Sequence, residues 1–159
     1  RVPKDWNHPV TCEMRNEGRY RHYIPRFKPL YGGPLYTKCL KDWQEYRATH
    51  TEEETIEYNG EEPDPADYMP TWPPELRTHW QMYEDTSEGT PISPVFETPE
   101  ELARWLADNG ASTFGDRTGT YEQWLTTIRA GGALSMVGSP ETGLISGVEA
   151  LHAMKSKSK

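Results

Sequence analysis

With 159 residues, a hydrophobic share of 34% and a net charge of −8, the chain has material for one modest core and little beyond it. The acidic balance argues against general nucleic-acid binding, which needs basic surface to displace counterions. No hydrophobic run approaches the roughly 20 residues that span a bilayer.

The charge is segregated along the chain. Residues 1–50 carry 10 basic and 5 acidic groups, net +5; residues 51–101 carry 15 acidic groups against Arg77 alone, net −14; residues 102–159 carry 6 and 5, net +1. One-signed segments of this kind set which partners can approach.

Residues 1–50 are expected to be mostly irregular. Pro3, Pro9, Pro25, Pro29 and Pro34 punctuate the segment and argue against a long helix. Tyr20 to Phe27 has strand character, which Pro25 confines to an edge. Leu40, Trp43 and Tyr46 are spaced as one helical face, so a short helix is expected near 40–47. Arg15, Arg19, Arg21, Arg26 and Lys28 interleave with Tyr20, Tyr23, Phe27 and Tyr31. Such a pattern can track a single nucleic-acid strand by charge neutralisation and stacking. The negative charge of the whole chain favours the other reading, in which these cations neutralise the acidic stretch that follows.

That stretch, 51–75, is expected to be an acidic arm or linker broken by Pro63, Pro65, Pro70, Pro73 and Pro74. Glu52, Glu53, Glu54, Glu57, Glu61, Glu62, Asp64 and Asp67 make it the candidate surface for a partner with a basic face. Tyr58, Tyr68, Met69 and Trp72 are the residues available to pin it down.

A compact α+β domain is expected over 76–152. A small antiparallel sheet is assembled from 79–85, 92–96, 133–137 and 144–146, and two helices pack on it. Thr98-Pro99-Glu100-Glu101 combines a capping box with an N-terminal proline and predicts a helix over 99–109. Thr120, with Gln123 three residues on, predicts another over 120–130, with Tyr121, Trp124, Leu125 and Ile128 on its apolar face. Gly131-Gly132 ends it. Trp72, Trp80, Trp105 and Trp124 are read as core rather than as a ligand cage. Residues 153–159, rich in Lys and Ser, are expected to be a disordered tail.

Several strings in this half carry a resemblance. HWQMYEDTSEGTPISPVF from His79, PEELARWLADNGAS from Pro99, YEQWL from Tyr121 and LISGVEA from Leu144 resemble strings shared by a group of small phage and prophage proteins. The opening RVPKDWNHP is similar to the start of the same group. The resemblance implies a phage origin and a host-cytoplasm setting, and no chemistry. Some members carry Cys-x-x-Cys pairs in the N-terminal half that suggest zinc; this chain lacks them.

Catalytic and metal chemistry find little support in the residues. His8, Cys12, His22 and Cys39 could supply four ligands, but structural zinc is marked by closely spaced cysteine pairs, so no metal and no cofactor are expected. With no signal-peptide pattern either, both thiols are expected to be reduced in a cytoplasm. Glu84, Asp85 and Glu88 cluster at a turn, where carboxylates stay ordinary acids. No nucleophile elbow, P-loop or dinucleotide glycine motif is present. The expected function is therefore non-enzymatic: a phage accessory protein that binds a host protein, such as one of a defence system, through its acidic surface. The alternatives are a nucleic-acid-binding module built on 15–31 and a small-ligand-binding protein, whose sign would be an apolar pocket with convergent polar groups.

Overall fold

The computed structural model describes residues 1–17, 20–84, 89–139 and 143–157. It divides into two compact units. The smaller comprises His8–Pro73 with Ser87–Thr90, and the larger comprises Arg1–Asn7, Pro74–Thr86 and Pro91–Lys159.

The smaller unit opens with an antiparallel hairpin of β1 (Val10–Glu17) and β2 (Tyr20–Phe27), in register Val10↔Phe27, Cys12↔Pro25 and Met14↔Tyr23. Proline in β2 fits an edge strand, since it cannot donate to a ladder. Helix α1 then spans Gly33–Arg47. It is longer than the helix expected at 40–47 because Pro34 does not block it. Proline is tolerated in the first turn, where its missing N–H would have had no partner. Helix α2 spans Glu52–Asn59, where an irregular arm was expected. A single 3-10 turn at Pro65–Asp67 follows, capped by the Asp64 side chain. The buried side chains of this unit, among the described residues, are His8, Leu30 and Thr55.

The larger unit holds the hydrophobic core. A 3-10 turn at Pro74–Leu76 opens its central stretch, followed by β3 (Tyr83–Glu84); β4 (Thr90–Pro91) falls where the chain passes from the smaller unit back to the larger. Helix α3 (Pro99–Asp108), the hairpin β5 (Ser112–Phe114) and β6 (Arg117–Thr118), and helix α4 (Tyr121–Ala130) come next. A second hairpin, β7 (Met136–Ser139) and β8 (Gly143–Ser146), leads directly into α5 (Gly147–Ser156). Leu102, Ala103 and Leu106 of α3 bury against Trp124 and Ile128 of α4 and Val148 of α5. Trp80, Met82, Ile92, Phe96 and Trp105 close around them. Full burial of one such aliphatic side chain contributes about 1.5–3 kcal/mol.

The chain is α+β, as expected, but the expected single sheet is replaced by pairs. Among the described residues, every strand pairs in a two-stranded sheet with its sequence neighbour. Trp80 and Phe96 meet in one isolated bridge and do not extend into a ladder over 79–85 and 92–96. Side chains explain why: Ser93 Oγ accepts from the Met82 N–H at 2.9 Å, and the Gln81 amide donates to the Ser93 carbonyl at 2.9 Å. These bonds take the place of ladder bonds, and Pro91 and Pro94 have no N–H to offer. At the other end, helix α5 occupies residues where a disordered tail was expected to begin at 153.

Four helices start with the same device. Thr51, Thr98, Thr120 and Ser146 each accept from the backbone N–H three residues on, and Glu54, Glu101, Gln123 and Glu149 bond back to the cap. Gly131 ends α4 in the left-handed conformation at φ +89°. Gly147 is required by proximity instead, because a Cβ there would fall on the Leu134 carbonyl.

Candidate interaction surface

The smaller unit leaves much apolar area in water. On the hairpin, residues directly opposite share a face, so Val10, Cys12 and Met14 lie on the same side as Phe27, Pro25 and Tyr23. All six are exposed, Tyr23 at 69% and Val10 at 59%. A two-stranded hairpin is marginal by itself in water, and contiguous exposed apolar surface marks interaction sites. A groove of about 430 Å³ runs beside this end of the hairpin, lined by Val10, Pro25, Arg26, Phe27 and Thr90.

Helix α2 carries the acidic part. At 8 residues it is shorter than the roughly 12–15 that isolated helices need, and Thr55 is its one buried residue. Its fold rests on local bonds. Glu54 Oε2 accepts from the Thr51 N–H and hydroxyl, both at 2.9 Å. Thr55 donates its hydroxyl to the Thr51 carbonyl at 2.7 Å. The Trp43 indole donates to the Gly60 carbonyl at 3.1 Å and holds the far end. Tyr46 stacks on Tyr58, 5.0 Å between ring centres and 10° from parallel, and on His50 at 3.8 Å. The hydrogen bonds from Thr51 hold the Glu54 carboxyl below the ordinary glutamate range.

The structure sorts the eight acidic residues expected to bind a partner. Glu54 is the cap. Asp64 accepts from the Ala66 N–H at 2.8 Å and starts the 3-10 turn. Asp67 pairs with Lys28 at 2.6 Å, and Glu52 lies 3.8 Å from Arg47. Glu53, Glu57, Glu61 and Glu62 are exposed, with no partner among the described residues. Ile56 and Tyr58 of the same helix are also exposed, the latter at 75%.

Two basic residues of the alternative reading form ion pairs within the smaller unit. Arg26 pairs with Glu13 at 2.8 Å, and Lys28 also donates to the Ala66 carbonyl at 2.9 Å. Both serve the unit's own structure. Arg15 and Arg21 hold strand positions opposite His22 and Asn16. Arg19 lies outside the described residues.

The four residues weighed as zinc ligands have separate places. His8 is buried and donates from Nε2 to the Lys28 carbonyl at 2.7 Å, with Phe27 edge-on at 5.5 Å. Cys12 is exposed, and Cys39 is a half-buried free thiol on α1. Cys39 bonds Tyr68, whose phenol is pushed up to about 12 by burial first and by that bond second. His22 holds its strand position on β2. Among the described residues, no three His, Cys, Asp or Glu side chains gather closely enough to hold an ion. Of the carboxylate cluster at the turn, Glu84 lies half-buried on β3, while Asp85 and Glu88 fall outside the described residues.

The larger unit contains a separate cleft of about 240 Å³, bordered by α4, β3, the β5 strand and the segment that follows α4. Trp124 and Thr127 line it at 3% and 2% exposure. The Trp124 indole N–H and the Thr127 hydroxyl have no hydrogen-bond partner among the described residues. A buried polar group left so costs about 1–3 kcal/mol. Sequence reasoning had placed Trp124 in the core and had not singled out Thr127. Their i, i+3 spacing was visible, but not that both would face one cleft.

No family model, curated protein or solved structure matches the chain. Among the described residues, no helix is long and apolar enough to cross a membrane.

Proposed function

We propose that this chain is a phage-encoded accessory protein that acts without catalysis, by binding a host protein with a basic surface in the host cytoplasm. Complexes of host defence or nucleic-acid handling are the favoured target class, because their grooves are basic. The phage assignment rests on the sequence strings given above. The binding assignment rests on one observation: a short capped helix and the segment after it present four carboxylates with no partner among the described residues, on a helix whose Ile56 and Tyr58 are also exposed. Exposed apolar and aromatic side chains beside charged groups are the composition of protein-binding surfaces. Unpaired carboxylates steer a basic partner inward and make the encounter salt-sensitive.

The test is affinity capture from host lysate over a salt series, with the wild type beside a variant carrying Glu53→Gln, Glu57→Gln, Glu61→Gln and Glu62→Gln. A specific partner retained at low salt, released at high salt and lost with the variant supports the proposal. The same partner held equally by both proteins, or no partner at all, would rule it out.

A further inference from the structure

The cleft in the larger unit has no part in that reading, and its chemistry points elsewhere. Trp124 and Thr127 lie three residues apart on α4, so their side chains share one side of the helix. Both residues line the cleft, both are almost wholly buried, and each carries a polar atom without a partner among the described residues. Gly119 packs close to the indole nitrogen, where a Cβ would stand 2.9 Å from Nε1.

Size and charge narrow what fits. The cleft measures about 240 Å³. That is several times the space one bridging water takes, and it falls short of the roughly 300 Å³ at which drug-sized sites begin. Met82, Ile92, Leu134 and Val148 give it apolar walls. Tyr83, Ser112, Thr113 and Ser135 add polar stretches, and among the described residues Glu84 is the only charged one in the lining. An anion would bring a second negative charge to it. A small apolar body with one uncharged acceptor oxygen meets the apolar walls and the two donors.

We propose that this cleft binds a small uncharged carbonyl compound, whose oxygen accepts from the Trp124 indole N–H and the Thr127 hydroxyl. Both polar atoms are themselves covered, so binding is coupled to a small rotation of the two side chains.

The experiment uses the full ¹⁵N-labelled chain, with Trp124→Phe identifying the Trp124 indole signal among the six tryptophans. Cyclohexanone is the probe: a seven-heavy-atom apolar ring with one carbonyl. The Trp124 signal is expected to move downfield and saturate, while the other indoles stay. Thr127→Val, which keeps the shape and removes the hydroxyl, weakens binding about tenfold, the size of one hydrogen bond; Thr127→Ser restores it. Cyclohexanecarboxylate, the anionic counterpart, leaves the signal unmoved. A Trp124 signal that ignores cyclohexanone, or drifts without saturating as bulk solvent effects do, overturns the proposal. So does equal binding of the carboxylate, or full affinity in Thr127→Val. The two wild-type titrations decide the matter alone if Thr127→Val does not fold. The quadruple Gln variant of the acidic surface is expected to bind cyclohexanone as the wild type does, so the two proposals fail separately.

Discussion

Removing the cap of α2 with Thr51→Ala separates the helix from the charges it carries. The substitution deletes the hydroxyl that accepts from the Glu54 N–H at 3.3 Å and donates to Glu54 Oε2 at 2.9 Å. It leaves every carboxylate in place. Loss of an N-cap costs about 1 kcal/mol, and in a helix with one buried residue nothing nearby compensates. One kcal/mol is a factor of about five in an equilibrium constant. Amide hydrogen exchange reads it directly. Thr55 donates to the Thr51 carbonyl at 3.0 Å and Gly60 to the Ile56 carbonyl at 2.9 Å, so their amides report opening of the first and last turns. Protection from 55 to 60 is expected to fall about fivefold, with α3 and α4 unchanged. Partner affinity should fall too, because the acidic face is no longer held in helical form before contact. Unchanged protection at Thr55 and Gly60 would refute the claim that the cap maintains α2. A uniform loss across the chain would refute the claim that α2 opens independently.

Three further outcomes test the fold. Leu106→Ala empties a fully buried position between α3 and α4 and should cost about 2–5 kcal/mol in denaturant unfolding; a loss under about 1 kcal/mol would contradict the core assignment. Gly147→Ala drives a methyl into the Leu134 carbonyl; it should destabilise by more than the roughly 1 kcal/mol that Ala gains over Gly in a helix, and a stabilised variant would show that the approach is not close. In an acid titration, Glu54, Glu100 and Glu149 should titrate below the ordinary glutamate value, held there chiefly by Thr51, by Arg129 and by Ser146 respectively. Depressed folded values mean stability that is present above about pH 4.3 and lost as pH falls through them. Carboxyl carbon shifts check this, and a normal Glu54 titration would refute the capping geometry.

The parts of this fold that were legible in the sequence are those that depend on near neighbours. Thr98 with Glu101, and Thr120 with Gln123, placed α3 and α4 because a capping box is complete within four residues. The same signature stands at Thr51 with Glu54 and at Ser146 with Glu149, where it was passed over. At Thr51 the glutamate run and the prolines beyond it suggested an unstructured arm. At Ser146 the Lys- and Ser-rich end masked a helix that runs to Ser156. Strand pairing was less legible because it is a distant choice. Nothing local to Ile92–Phe96 says that the Ser93 hydroxyl will take the Met82 amide and stop a ladder from growing. The candidate site divided in the same way: the acidic residues were visible as a group, while which four stay unpaired depended on Arg47, Lys28 and the caps. The cleft was beyond sequence reasoning, since it needs the placement of α4 against segments from both sides of it.

One acid of helix α2 stands against the helix's own stability, and this is the strongest argument for the proposal that its charges face a partner. Acids in its first turn suit the positive end of the helix dipole, but Glu57 sits near the negative end and no basic residue occupies the last turn. Glu53 and Glu57 are four apart on the helix, and like charges at that spacing repel by roughly 0.2–0.5 kcal/mol. A surface selected for solubility alone gains nothing from setting Glu57 near the negative end of the helix. A surface that receives cations does, because the partner's Lys or Arg groups relieve the repulsion on contact. Glu57→Lys separates the two explanations. It removes the repulsion, sets a cation one helical turn after the Glu53 carboxylate, which is the favoured direction for such a pair, and brings positive charge to the helix C-terminus. The helix should gain about 0.5–1 kcal/mol, seen as raised protection at Gly60. Partner capture should fall at the same time. If capture rises with helix stability, or is unaffected, the acids of α2 do not meet a basic surface. If protection at Gly60 falls instead, the repulsion argument itself is wrong.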